Sequence, residues 1–530
     1  MKRLFVTLAF LLAFVVKSFA QDLCGTPAIT NIESVKKLNS PRNRTSNSFY
    51  ILRIYFHVIR SSSGTGGVST SDVTSAFNRL NSDFNSHGIY FKWDGMIDPI
   101  DNDTYYNNSP DTYIFSVNNH TNGIDIYLYP AFPNYNPQIS GRAHGVGMNS
   151  EYLVVGNYNN VPTCMTSTIS HEMGHVLNLW HTHHGTYNEG GNDNPCPELV
   201  NGSNSSTCGD YVEDTPADPN IDGMVNGNCG YTGGGTDANN QAYNPDVDLI
   251  MSYARIPCRT RFSTKQGQRM RESIASLSYL IQTQYQLSIS GSSIVCSTAA
   301  YTIYDLPSGA SVQWSTSNSN LSIISGQGTT TATFQKNSNG ACVITAQISI
   351  GSFTQTVTKN VWAGIPAAPT IIGWPHTNMF LANSQYQLFA STSSLAQASE
   401  YQWDVVSGAT ITSGANTNGP TFTINSSGTV RIGVRARNAC GWGPYTYMNG
   451  GITNDNGQTP INSPGNNIVN IPLPEEGEYE IMLWNTNRLI RTVKTSQSSY
   501  DVDLNGLPSD LYIIKVMKDG QSIYQLKVKK

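Results

Sequence analysis

One string, His171-Glu172-Met173-Gly174-His175-Val176-Leu177-Asn178-Leu179-Trp180-His181, limits this chain more than any other. Its first two histidines are four residues apart, so on a helix they share one face a turn from each other. That is the bite two ligands of a tetrahedral zinc need. Glu172 leaves such a helix at a different angle, suited to taking a proton from a zinc-bound water rather than joining the coordination. His181 follows six residues after His175, where a continuing helix would aim it away. The helix must break between them through a left-handed residue, and Asn178 stands there. Asn is the best substitute for glycine in that conformation. The string makes geometric sense only if His171, His175 and His181 face one ion, with Glu172 as general base.

The start of the chain reads as an export signal. Lys2 and Arg3 precede an apolar stretch from Leu4 to Val16, and the small residues Ser18 and Ala20 suit cleavage before Gln21. The stretch is too short to span a bilayer comfortably, and no later segment reads as a transmembrane helix. A secreted product, extracellular or attached to the outer cell surface, is expected. Charged residues are 13% of the 530-residue chain and the net charge is −5. No basic stripe stands out, which argues against nucleic acid as a partner. Nine cysteines in an exported chain suggest disulfides with at least one thiol left over.

Residues 21–48 lack periodicity, carry Arg42 and Arg44, and read as a pro-segment. Residues 49–286 then form the domain of the histidine string, with a strand at Tyr50–Ile59 and a helix bearing Val73, Phe77, Leu80 and Phe84. Strands at Ile89–Trp93, Ile124–Tyr129 and Leu153–Val155 lead to a helix over about Thr166–Leu179. The Gly/Asn/Asp-rich region from Gly185 to Asp248 is too long for a bare loop unless something pins it. Cys196, Cys208, Cys229 and Cys258 are candidates, in any of three pairings. A helix from about Thr264 to Ile281 closes the domain. The fold class is α+β, followed by all-β modules.

Beyond Gln286 short Ser/Thr/Val-rich strands alternate with turns, the pattern of β-sandwiches at 287–364 and 365–455. Val312-Gln313-Trp314 and Tyr401-Gln402-Trp403 are matching strand cores. Cys296, Trp314 and Cys342 have the Cys…Trp…Cys order of an immunoglobulin-like domain, which pairs Cys296 with Cys342 and leaves Cys440 without such a bridge. Trp362, Trp374 and Trp442 read as core or linker packing rather than sugar platforms.

With these motifs the chain resembles the metzincin metallopeptidases, and among them the pappalysin-like (cytophagalysin) group, over roughly Cys24 to Gln286. Met251-Ser252-Tyr253 looks like the family's Met-turn, which would put Met251 beneath the metal and Tyr253 beside the oxyanion. Asp210-Tyr211-Val212-Glu213-Asp214-Thr215-Pro216 resembles a calcium-binding segment, implicating Asp210 and Thr215. Phe262 to Met270 resembles the start of the last catalytic helix. Asn178 departs from the glycine most metzincins carry there. Cys24-Gly25-Thr26 resembles a cysteine switch, with the Cys24 thiolate filling the open zinc position of a latent zymogen; the alternative is a Cys24–Cys164 disulfide. The resemblance implies a secreted zinc endopeptidase acting on proteins or peptides, with structural calcium.

The tail at 466–530 is similar to the C-terminal sorting domains of type IX-secreted bacterial proteins, which would make that machinery a partner. Its alternative is a third adhesive β-module. His183 and His184 read as a polar rim, and His144 has no assigned role. A rival class, an adhesin on a degenerate peptidase fold, is disfavoured because Glu172 and all three histidines are retained.

Overall fold

The computed structural model describes residues 24–27, 47–108, 112–131, 139–157, 161–186, 196–375, 378–453, 461–462, 465, 467–473, 477–485, 488–518 and 521–530. The export signal, most of the pro-segment, and Arg42 and Arg44 lie outside the described residues. Two compact units emerge. One holds Met1–Leu287 with Asp305–Ser311 and Ile348–Gln355, the other Ser288–Tyr304, Val312–Gln347 and Thr356–Lys530. No described helix is long and apolar enough to cross a membrane.

The first unit is built on a twisted sheet of β1 (Tyr50–Arg60), β2 (Ile89–Lys92), β3 (Ile97–Asp101), β4 (Ile124–Tyr129), β5 (Gly141–Ala143) and β6 (Glu151–Val155). Its order is β2-β1-β4-β6-β5, and β3 pairs with the far end of β1. Every pairing is parallel except β5 with β6, so the antiparallel edge strand is also the shortest member. Alternation along β1 sends Leu52, Ile54, Phe56 and Val58 to one face, where they meet Val73, Leu80 and Phe84 of α1 (Thr70–Phe84) and Ile169, Met173 and Val176 of α2 (Ser167–Val176). Ile59 goes to the other face, with Tyr127, Tyr129, Leu153 and Val155. Ser69 caps α1 by accepting from the Asp72 N–H.

The segment read as one helix from Thr264 to Ile281 is two. α3 (Thr264–Ser276) ends where Leu277 turns extended, and a short helix, Ser278–Ile281, follows. Ser263 and Gln266 form a reciprocal capping box at the start of α3. Cys196–Cys208 and Cys229–Cys258 are disulfides in the long irregular region, selecting one of the three open pairings.

Past residue 287 the strands form paired small sheets. Ser311–Thr316, Gly340–Ile350, Phe353–Ala363 and Ile294–Val295 make one, and Leu321–Ser325, Thr331–Lys336, Thr298–Ile303 and Ile289–Ser290 its counterpart. Trp314 and Trp403 sit in the two sandwich cores. Trp362 and Trp374 are also buried, and Trp442 lies under Arg435 and Arg437. The Cys296–Cys342 pairing is wrong: Cys296 is bonded to Cys440, with Cα atoms 5.0 Å apart. Strand alternation explains this. Cys342 points into the core, 2% exposed, whereas Cys296 is exposed at a strand end and cannot reach it. In the tail, Tyr479–Asn485, Arg488–Thr495, Leu511–Lys518, Gln521–Lys529 and Ile461–Asn462 form a five-stranded sheet. Its buried Ile481, Leu483, Ile514 and Val516 pack with Val469, Ile471, Val502 and Leu504 of a two-stranded one.

Candidate active site

α2 is buried along its whole length and starts from a Thr166 cap. It ends in a Schellman arrangement. Asn178 is left-handed, with φ 72°, and the Leu179 N–H donates back to the Gly174 carbonyl at 2.9 Å. That reversal returns the chain so that His181 faces the two helical histidines. His175 Nε2 and His181 Nε2 lie 3.1 Å apart.

The other ring nitrogens show why these imidazoles point inward. His171 Nδ1 donates to the Ile250 carbonyl at 2.7 Å, and His175 Nδ1 to the Leu179 carbonyl at 2.8 Å. A carbonyl can only accept, so both protons sit on Nδ1 and the Nε2 lone pairs face the common centre. His171 Nε2 is buried and meets no hydrogen-bond partner among the described residues. Burial, reinforced by the neighbouring imidazoles, holds the His171 pKa well below its usual value and keeps the ring neutral, the form that ligates metal. The ligand-type atoms of Cys24, His171, His175 and His181 all lie within 4.8 Å of one another. With zinc–nitrogen bonds of about 2.0–2.1 Å, tetrahedral ligands stand roughly 3.4 Å apart, so three imidazoles and a sulfur of this kind fit zinc.

Met251 is completely buried below α2. A Cβ at Gly174 would run into its sulfur, so glycine is required for that approach. The Thr182 N–H donates to the Met251 carbonyl at 3.1 Å, joining the turn to the residue after His181. Tyr253 packs against His181 and His183, with ring centroids 4.7 and 4.4 Å away. Its hydroxyl donates to the Cys24 carbonyl at 3.5 Å. His183 and His184 are not a polar rim: they are 2% and 8% exposed, stacked on His181 and Trp180 respectively.

Cys24 lies in this array, its sulfur 3.4 Å from His175 Nε2 and 3.6 Å from Glu172 Oε2. The alternative disulfide is absent: Cys24, Cys164 and Cys342 are all free thiols. Burial pushes the Cys24 pKa well up, the Glu172 charge adds to this, and hydrogen bonds from Thr26 oppose it. The segment runs parallel to β5, with the Gly25 N–H donating to the Gly141 carbonyl at 2.8 Å. Gly141 has no room for a side chain, because a Cβ there would stand 2.6 Å from Glu172. Thr26, to which sequence reasoning gave no separate role, donates from Oγ1 to Glu172 Oε2 at 2.8 Å and accepts from the Ala143 N–H at 2.8 Å.

Comparison with known proteins agrees with this geometry. The peptidase family model described as pregnancy-associated plasma protein-A matches residues 131–275. Residues 131–275 are a pappalysin-type peptidase domain. A PKD-like domain matches 379–449. The chain is similar to karilysin of Tannerella forsythia, 29% identical over 282 residues, covering 46% of this chain and 58% of karilysin. It is also similar to an extracellular metalloprotease of Colletotrichum graminicola, 26% identical over 273 residues, covering 48% and 90%. Among solved structures, an I-band fragment of titin covers 46% of this chain at 12% identity, with a TM-score of 0.18. The pappalysin-type domain contains α2, Met251 and Tyr253, and its matched stretch ends inside α3.

The same domain holds Asp210 and Thr215, both buried. Thr215 Oγ1 donates to Asp210 Oδ1 at 2.9 Å, while Asp210 Oδ2 is buried and meets no hydrogen-bond partner among the described residues. Burial raises the Asp210 pKa to about 7 and that of Glu198 to about 8, the latter with help from the charges of Asp210 and Asp218.

Proposed function

We propose that this chain is a secreted zinc endopeptidase made as a latent zymogen. The convergence of His171, His175 and His181 beside Glu172 carries the reading. His171, His175 and His181 would hold zinc, which when bound supplies a Lewis acid and makes its water acidic near neutral pH. Glu172 takes the proton of the attacking water and returns it to the leaving amine. The Tyr253 hydroxyl, once released from the Cys24 carbonyl, donates to the oxyanion. Met251 supports the floor. Cys24 and Thr26 together occupy the metal-facing position and Glu172, which accounts for latency.

A calcium ion at Asp210 and Thr215 fits a buried carboxylate with a spare oxygen among other raised acids, since hard oxygen donors suit calcium. Metal stripping separates the two ions. Chelation should abolish casein cleavage by the processed enzyme, and zinc should restore it. Calcium should raise the melting temperature, and Asp210→Asn should remove that rise. Cleavage surviving zinc removal would overturn the peptidase mechanism, and an unchanged calcium response in Asp210→Asn would overturn the calcium assignment.

The tail is proposed as a sorting domain read by type IX secretion machinery, on the basis of its sequence resemblance and its self-contained β core. Deleting residues 466–530 should leave peptidase activity in lysates intact while stopping export from the native host. Truncated protein reaching the medium would refute this role.

A further inference from the structure

A second set of ligand-type side chains converges on the sheet face that carries Tyr127 and Tyr129, opposite α2. His57, on β1, is completely buried, and both its ring nitrogens meet carboxylates. Nδ1 lies 2.8 Å from Asp98 Oδ2 on β3, and Nε2 lies 2.8 Å from Asp125 Oδ1 on β4. The same Asp125 oxygen lies 2.7 Å from His120 Nδ1, and Asp125 Oδ2 accepts from the His120 backbone N–H at 2.9 Å. Ligand atoms of His57, His120 and Asp125 therefore all lie within 4.8 Å of one another.

Carboxylates gather at this place. Asp125 is completely buried, and Glu151 stands opposite it in register on β6. Among the described residues the ion-pair partners of Asp98, Asp125 and Glu151 are all imidazoles, those of His57, His120 and His144. A carboxylate oxygen only accepts, so each ring nitrogen that faces Asp125 Oδ1 needs a proton or a metal ion between the two atoms. A divalent cation held by two imidazole nitrogens and a carboxylate oxygen fills that place for His57 and His120 together, and this donor set suits zinc-class transition metals.

The surroundings match what a ligating histidine requires. Asp98 on Nδ1 of His57 is the outer carboxylate that orients such a ring. Asn118, left-handed at φ 54°, donates to the same Asp98 oxygen at 2.8 Å and turns the loop so that His120 lies over the site. The His120 ring is held by stacking on Tyr55, with centroids 3.6 Å apart, and its side chain is 35% exposed, which gives an ion a way in.

We infer that His57, His120 and Asp125 form a second metal site, oriented by Asp98, for a zinc-class divalent ion. The ion would clamp the loop before β4 onto β1 and β4, a structural role separate from peptide hydrolysis.

The test reads metal, so it stands whether or not the peptidase reading does. Full-length Cys24→Ala/His171→Ala/His175→Ala protein keeps only His181 of the four donors of the other centre. Stripped of metal, kept in calcium and titrated with zinc alone by calorimetry, it should bind one equivalent and gain melting temperature. Adding His120→Phe keeps the stack on Tyr55 and should abolish both responses. His57→Gln, which loses the imidazole, should do the same if the protein remains folded by circular dichroism. No zinc uptake by the folded triple variant, or uptake unchanged by His120→Phe, would overturn the proposal and leave a hydrogen-bonded network only.

Discussion

Processed Glu172→Ala enzyme should bind zinc as the wild type does and cleave casein at least about 10²–10⁴-fold more slowly, the usual contribution of a positioned general base. His171, His175 and His181 remain, and the Nδ1 bonds of His171 to Ile250 and of His175 to Leu179 do not involve Glu172. The ligand geometry therefore has no reason to change. The variant must be processed by added active enzyme, because a chain without its base cannot cut its own pro-segment. His181→Ala should behave differently and lose metal affinity along with activity. Casein cleavage by a clean Glu172→Ala preparation at wild-type rate would sink the mechanism. Loss of zinc in that variant would mean that Glu172 is a ligand instead.

Full-length Cys24→Ala should be active, or convert itself rapidly, where the proposed latency would keep the wild-type chain silent. The sulfur lies 3.4 Å from His175 Nε2, where on the proposed reading it would take the place that water needs. Without it, the tethered segment keeps, among the described residues, the Thr26 hydroxyl between Glu172 and the Ala143 N–H, the Gly25 bond to Gly141 and the Tyr253 contact. Even at an effective concentration on the order of mM, a tether lacking its metal-binding group competes poorly, and activity should rise about tenfold or more. A Thr26→Val substitution should weaken latency less, since the sulfur remains. A Cys24→Ala zymogen as silent as the wild type would retire the switch, and a reduction-sensitive Cys24–Cys164 bridge in peptide maps would replace it.

The difference between these two results separates catalysis from latency. On the proposed reading Glu172 would serve in both states, accepting from Thr26 in the closed form and from water in the open one, whereas Cys24 and Thr26 would serve only in the first.

Much of this was written into the local order of residues. Histidines four apart on a helix must share a face whatever surrounds them, and the structure keeps His171 and His175 on α2. Asn178 was legible as the break because few residues accept a positive φ, and its φ is 72°. Strand β4 was legible to the residue, since Ile124–Tyr129 is rich in β-branched and aromatic residues, Asp125 apart, and follows turn residues. Periodicity has less to say where a strand is short or contains proline. β5, three residues of Gly-Arg-Ala, and β3, with Pro99 inside it, carry no alternation, yet β5 is the edge on which Cys24–Thr26 docks.

Only the tertiary structure decided which distant groups meet. Cys…Trp…Cys order suggested a bridge inside one sandwich, but sequence order does not say which side of a strand a cysteine faces. Cys342 points inward and Cys296 outward, so the bond goes to Cys440, 144 residues on. His183 and His184 looked solvated because they are polar and lie beside glycine. Packing against His181, Trp180 and Tyr253 buries them instead. The meeting of His57, Asp98, His120 and Asp125 was likewise out of reach, since it depends on three parallel strands brought into register. The sequence by itself determined the chemistry that local geometry dictates: the three histidines, the glutamate and the turn between them. Long-range contacts, whose partners are chosen by the packing of whole sheets, were decided by the fold.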